Sequence, residues 1–220
     1  MNRRPTLLAA LALTATAALT LSACGSDDDS PAKDSDKIAG ADTGDKKSAS
    51  PTPSDSVASG GRPKITFPAD AKNVFEGGKT GDPTKDAVLA DSASGINSVD
   101  EAIFKGSTDT EALGFYNTDK ALSSAITYVQ RYIDANDTWT GETRYFNRKA
   151  TLNGATKAYV TYCSDESKSY IKSKKTGKVD KSPASSDSYV LYNAALTKNA
   201  EGVWQTTEII SQRGAKECQP

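Results

Sequence analysis

Cys24 is the residue of this chain whose chemistry is indicated most directly by its neighbours. It ends the motif Leu-Ser-Ala-Cys at positions 21–24, which follows a basic start at Arg3 and Arg4 and an apolar run. A basic start, an apolar run and small residues before a cut are typical of an export signal, and a cysteine at the cut is typical of a lipobox. We therefore predict a signal peptide over residues 1–23 and a diacylglyceryl group on the Cys24 sulfur.

This anchor predicts a lipoprotein on the extracytoplasmic side of the cell membrane, because two acyl chains such as palmitate hold a protein there stably. Two alternatives stay open: a plain secretory signal followed by an unrelated cysteine, and twin-arginine instead of general export. Residues 24–62 contain no aromatic side chain. Since such a segment buries too little apolar surface to fold, we predict a disordered tether there and a domain over residues 63–220.

Cys163 and Cys218 are the two thiols that remain after lipidation. Two leftover thiols in a small domain outside the membrane most often pair, so we predict a disulfide that ties the C-terminal tail to a strand. The alternative is a reactive cysteine. The sequence offers neither a histidine nor a Cys-x-x-Cys pair to activate one.

The composition excludes several classes of function. Histidine is absent from all 220 residues, and without imidazole the commonest general base and most zinc sites are missing. We therefore predict no metal, no cofactor and no catalytic residue. Removal of residues 1–23 leaves 25 basic and 28 acidic side chains, a net charge of −3. Together with export, this balance predicts that the protein does not bind nucleic acid.

The first half of the domain is predicted to be helical. Asp82 followed by Pro83 is a typical helix start, and Gly95 is expected to interrupt that helix. A later helix is predicted from Asp119 to Ala135, because apolar residues there follow the i, i+3, i+4, i+7 rule. These residues are Leu122, Ala125, Ile126, Val129 and Ile133, with Tyr128 and Tyr132 on either side.

The second half is predicted to be an antiparallel sheet. Apolar and polar residues alternate along it, and Asn153-Gly154 is a strong signal for a two-residue hairpin turn. The predicted strands are residues 143–152, 155–163, 167–173, 188–198 and 203–211. Helices followed by a meander of strands predict the α+β class, with N-terminal helices packed on one face of a curved antiparallel sheet.

Several segments carry a resemblance to a known group. They include Thr-Gly-Glu-Thr-Arg-Tyr-Phe at 140–146, Tyr-Cys-Ser-Asp-Glu at 162–166 and Gly-Val-Trp-Gln at 202–205, with residues 74–77, 82–91, 188–192 and 212–218. These stretches resemble a group of uncharacterised lipoproteins from high-GC Gram-positive (actinobacterial) species. The order of elements is also similar to that of the NTF2-like cone. The resemblance implies a secreted NTF2-like domain and no established activity.

An NTF2-like cone typically has a pocket between helix and sheet, so the resemblance implies a place for a ligand. Tyr132, Tyr159, Tyr192 and Trp204 are our candidates for its lining; the alternative is that they simply fill the core. We expect a non-catalytic binding domain for a small apolar ligand, an envelope protein or a wall polymer. The alternative is a small-molecule enzyme of isomerase or hydrolase type. A pocket with a buried aspartate near a tyrosine favours the enzyme, and a filled core with an exposed apolar patch favours partner binding.

Aspartates and a group of lysines are the remaining candidates for a functional role. No aspartate stands alone in an apolar stretch, and the nearest, Asp134, is expected to face solvent. Six lysines crowd one predicted hairpin, where we expect a soluble edge, the alternative being contact with anionic headgroups or wall polymers. These lysines are Lys168, Lys172, Lys174, Lys175, Lys178 and Lys181.

Overall fold

The computed structural model describes residues 61–220. The predicted signal peptide, the predicted lipid site at Cys24 and the predicted tether up to residue 60 lie outside the described residues. Within 61–220 no helix combines the length and the apolar character that crossing a membrane requires.

The described residues form three α-helices and one six-stranded sheet. In chain order the elements are β1 (Ala71–Phe75), α1 (Pro83–Lys105), α2 (Glu111–Tyr116), α3 (Asp119–Ala135), β2 (Asp137–Asn153), β3 (Lys157–Ser173), β4 (Val179–Asp180), β5 (Tyr189–Lys198) and β6 (Trp204–Arg213). The strands are ordered β1-β2-β3-β5-β6, with β4 beside the end of β3. Only β1 runs parallel to its neighbour. The predicted α+β class, with helices packed on one face of a curved antiparallel sheet, is confirmed.

Helix α1 begins as predicted. The Asp82 side chain accepts hydrogen bonds from the backbone N–H groups of Thr84 (2.9 Å) and Lys85 (3.3 Å), which closes the helix N-terminus. The expected interruption at Gly95 is wrong, because the helix runs through it for 23 residues. Gly95 is buried, and a Cβ there would lie 3.4 Å from Oγ1 of Thr206. The missing side chain thus lets α1 lie close to β6.

Helix α3 has the bounds that the apolar periodicity predicted. Val129 is fully buried between α3 and α1, whereas Ile126 remains 39% exposed. The helix therefore packs along a narrow stripe. The adjacent face carries Tyr128, which is 46% exposed and lines the space above the sheet.

Strand β3 corrects one prediction. The polar residues at 164–166 were expected to separate two strands, but β3 is continuous over 17 residues. Ser164 and Asp165 pair with β2 on one side and with β5 on the other. Pairing on both sides holds this polar stretch in the sheet, while a register shift between Glu142 and Arg144 on β2 bends the hairpin.

Gly141 on β2 has no room for a side chain. Its φ is +103°, and a Cβ there would lie 2.1 Å from the carbonyl oxygen of Lys168 on β3. Gly141 also pairs with Ala71, so the same residue joins β1 to the long β2–β3 hairpin. Only glycine fits this combination of a left-handed backbone and a close neighbour.

The predicted disulfide between Cys163 and Cys218 is confirmed. The two Cα atoms are 5.5 Å apart, and both residues are buried. They pack with Ala215 and Phe146 in a small cluster that holds the C-terminal segment against β3.

Replacing Gly141 by alanine should lower the free energy of unfolding by about 3 kcal/mol or more, because the new Cβ meets backbone and the required φ is unfavourable. Gly114→Ala is the matched control, since nothing lies within 4 Å of its added Cβ. Within α2 that control should be neutral or stabilising by up to about 1 kcal/mol. Urea unfolding measures both, and equal stabilities of the two variants would contradict the prediction.

Candidate functional site

An open pocket of about 1040 Å³ lies between α1, α3 and the concave face of the sheet. Helix α1 forms one wall from Ser92 to Asp100, and α3 forms the opposite wall. Strands β2, β3, β5 and β6 form the floor. The segment between β4 and β5, which includes Ser182 and Asp187, borders the entrance.

Aromatic side chains line much of this pocket. They are Tyr128, Tyr132, Trp139, Tyr145, Tyr162, Tyr170 and Tyr192. The rings of Tyr162 and Tyr192 are stacked with centroids 4.9 Å apart. The hydroxyls of Tyr128 and Tyr132 share a hydrogen bond of 3.3 Å, and burial raises the pKa of both groups. These hydroxyls therefore stay neutral at physiological pH and can donate hydrogen bonds.

Asp100 is the carboxylate inside the pocket. One of its oxygens accepts a hydrogen bond from Nε1 of Trp139 (3.1 Å) and the other from Nδ2 of Asn73 (2.7 Å). Among residues 61–220 it forms no ion pair with lysine or arginine. Burial raises the pKa of the Asp100 carboxyl to about 7, although the two hydrogen bonds oppose the rise. Both its protonated and its ionised form are thus populated near neutral pH.

Asp91, on the same helix, is a buried carboxylate that, unlike Asp100, has a cation beside it. It pairs with the guanidinium of Arg62 and accepts a hydrogen bond of 2.9 Å from the backbone N–H of Trp204. These contacts tie the chain before β1 and the start of β6 to α1. Because Asp91 has a cation beside it and does not line the pocket, its role is structural.

Acidic side chains outnumber basic ones among the charged residues that line the pocket. Nη1 of Arg213 donates to Glu166 (2.8 Å) and to the backbone carbonyl of Asp187 (2.6 Å), so its charge is already engaged. The charged residues of the lining are Asp100, Glu166, Asp180 and Asp187 against Arg131 and Arg213. With Asp100 ionised, the lining carries a net charge of −2.

Of the four aromatic residues that the sequence suggested for the pocket lining, two line the pocket and two do not. Tyr132 and Tyr192 line the pocket. Tyr159 lies on the opposite face of the sheet and is 50% exposed, because its neighbours Ala158 and Val160 point to the core. Trp204 is 1% exposed within the core and does not line the pocket, as in the alternative that the sequence left open.

Sequence reasoning overlooked Asp100. A signal existed, because Asp100 lies four residues after Ile96 and four before Phe104, on the apolar side of α1. Asp134, which was considered instead, faces solvent as expected and accepts a hydrogen bond from Gln130.

Two lysines of the predicted basic hairpin have local structural roles. Nζ of Lys172 contacts Asp70 at 2.7 Å, and Nζ of Lys174 donates to the carbonyl of Ile103 at 2.7 Å. Lys174 thereby satisfies the C-terminus of α1, where a cation is favoured. Over residues 61–220 the structure contains no group of three or more cysteine, aspartate or glutamate side chains that could hold a metal ion.

Comparison with known proteins gave distant structural likenesses. No protein-family model and no curated protein matches the chain. A ketosteroid isomerase-like protein from Erwinia carotovora atroseptica aligns with a TM-score of 0.43 and 15% identity, over 60% of this chain and 97% of that one. The intermembrane space region of the chloroplast protein ARC6 aligns with a TM-score of 0.34 and 8% identity, over 57% and 92%.

Asp100 should make stability depend on pH in a definite direction. Its folded-state pKa of about 7 lies above the unfolded value of about 3.9, so the folded state holds the proton more tightly. The stabilisation from this group is present below pH 4 and is lost as the pH rises through 7. The variant Asp100→Asn should therefore gain stability relative to the natural protein between about pH 4 and 7, with a slope of up to about 1.4 kcal/mol per pH unit, and the difference should level off above that range.

Urea unfolding at several pH values measures this difference. Asp134→Asn, at an exposed carboxylate, is the control and should leave the pH dependence unchanged. Parallel curves for the natural protein and Asp100→Asn would contradict the assignment.

Proposed function

We propose that residues 63–220 form a binding domain of NTF2-like type that takes a small molecule in the pocket. The observation that carries this proposal is the open space itself, lined by tyrosines and by Asp100, where a filled core was the alternative. Ligand sites typically have volumes of about 300–1,000 Å³, apolar and aromatic walls, and a few polar groups that orient the ligand. This pocket has each of these properties.

A small ligand is favoured over a protein or wall polymer as the principal partner. The exposed apolar side chains on the outer face of the sheet, Tyr159 and Ile210, form a shallow surface. The pocket is about three times larger in volume than the depression beside them, 1040 against 330 Å³.

The second candidate is an enzyme of isomerase type, favoured by one observation. A carboxyl whose pKa is about 7 is suited to give and take a proton at neutral pH, and Asp100 is such a group beside tyrosine hydroxyls. This arrangement is the one that we expected of the enzyme. Binding remains our first proposal, because the open pocket supports binding by itself, whereas an isomerase also requires a substrate carbon placed against Asp100.

The location we propose is the outer side of the cell membrane, with the domain held by a diacylglyceryl group on Cys24. The lipobox supports this, and so does the Cys163–Cys218 disulfide, since such bonds persist in oxidising compartments outside the cytosol.

Native mass spectrometry tests the binding proposal. The mature chain, secreted with Cys24→Ser so that it stays in solution, should carry an adduct at one molecule per domain. Ser211→Trp places an indole into the pocket from an exposed position on β6 and should remove the adduct. Ile210→Trp, on the other face of the same strand, is the matched control and should keep it. An adduct that survives Ser211→Trp would contradict the proposal. The absence of an adduct from both the Cys24→Ser chain and its Ile210→Trp variant would also contradict it.

Cys24→Ala should abolish labelling of the protein by radioactive palmitate and its globomycin-sensitive processing, because the sulfur that accepts the lipid is gone. The control is Asp134→Asn, at an exposed position outside the lipobox, which should leave acylation unchanged. Equal labelling of the Cys24→Ala protein and the natural one would refute the anchor.

A further inference from the structure

We propose that the ligand of this pocket carries an ammonium group, protonated or quaternary, which lies beside Asp100 and against the rings of Tyr128 and Tyr132. This inference rests on the proposed function and specifies its ligand class. The geometry supports it in three independent ways: the state of the Asp100 carboxylate, the walls around it, and the balance of charge.

The carboxylate of Asp100 has acceptor capacity that the protein leaves unused. An ionised carboxylate offers about four acceptor positions, and two are taken by Trp139 and Asn73. Both donors are neutral, so they fix the orientation of the group without cancelling its charge. Asp91 shows that the same helix can supply a buried carboxylate with an arginine, and at Asp100 no such cation is provided.

The walls around Asp100 suit a cation. Aromatic faces attract ammonium groups through their quadrupole, and the attraction grows when water is excluded. Tyr128 and Tyr132 share an edge-to-face contact with centroids 5.3 Å apart, and both line the pocket opposite α1. Trp139 adds a third ring and donates to Asp100 at the same time.

The balance of charge disfavours an anionic ligand. An anion would enter past Asp180 and Asp187 and then meet Glu166 and Asp100. Of the two cations in the lining, Arg213 is already engaged by Glu166 and by a backbone carbonyl, and Arg131 on α3 offsets only one of the remaining acidic groups. A cation would therefore meet a lining of net negative charge and would stabilise the ionised form of Asp100.

Three probes that differ only in their head group test the inference: 4-phenylbutylamine, 4-phenylbutanol and 5-phenylpentanoate. Each is titrated into the mature Cys24→Ser protein at pH 8, where Asp100 is mostly ionised. The readout is the NMR signal of the Trp139 indole N–H, which donates to Asp100 and therefore reports on that part of the pocket. We expect the amine to bind at least tenfold more tightly than the alcohol, and the carboxylate more weakly than either.

Two variants test whether the preference for the amine arises at Asp100 and Tyr128. Asp100→Asn should bring the affinities of the amine and the alcohol to within about threefold of each other, because the charge that distinguishes the two probes is gone. Tyr128→Leu, at an exposed aromatic position, should weaken the amine more than the alcohol. Asp134→Asn is the control for a loss of charge elsewhere on the protein and should keep the tenfold preference.

The outcomes separate the inference from the function on which it rests. If the alcohol or the carboxylate binds as tightly as the amine, or if Asp100→Asn keeps the preference, the ammonium inference is overturned and a pocket for another ligand stands. If none of the three probes shifts the Trp139 signal, the ammonium inference is overturned, and the proposed binding function is decided separately by the adduct in the native mass spectrum.

Discussion

The approach of Gly141 to the carbonyl of Lys168 is the constraint on which the pocket depends. It lets two strands of 17 residues pair closely where β1 also joins them. Trp139 and Thr143, which lie two residues before and two residues after Gly141 on β2, both line the pocket. A single position without a side chain therefore sets the register of β1 and the place of the indole that holds Asp100.

Helix α1 shows how one element can carry a structural and a functional carboxylate. Asp91 and Asp100 are nine residues apart, which is two and a half helical turns, so they lie on opposite sides of the helix. One side meets Arg62 and the start of β6, and the other meets Trp139 and the pocket. The paired aspartate fixes the helix in place. The unpaired one is then held where a ligand can reach it.

The sequence predicted those features that local patterns determine. Helix α3, the presence of a hairpin near Asn153-Gly154 and the α+β class follow from periodicity and turn residues over short distances. The predicted two-residue turn is wrong in length, because Asn153 pairs with Lys157 and three residues connect the strands. The continuity of β3 depends on pairing with two other strands, which no local pattern contains. Asp100 was missed for a related reason, because its environment comes from β2 and from Asn73 as well as from its own helix. Tyr159 could have been placed correctly from the alternation of β3 alone.

The contact between Lys174 and the end of α1 has a mechanical consequence. Its ammonium group lies 3.1 Å from where a Cβ of Gly106 would be, so the glycine that ends the helix also makes room for the lysine. The turn after β3 and the helix that carries Asp100 are thereby joined at their ends. We therefore expect the turn after β3 and the end of α1 to move together, so that a change in the hairpin would also shift the helix that carries Asp100.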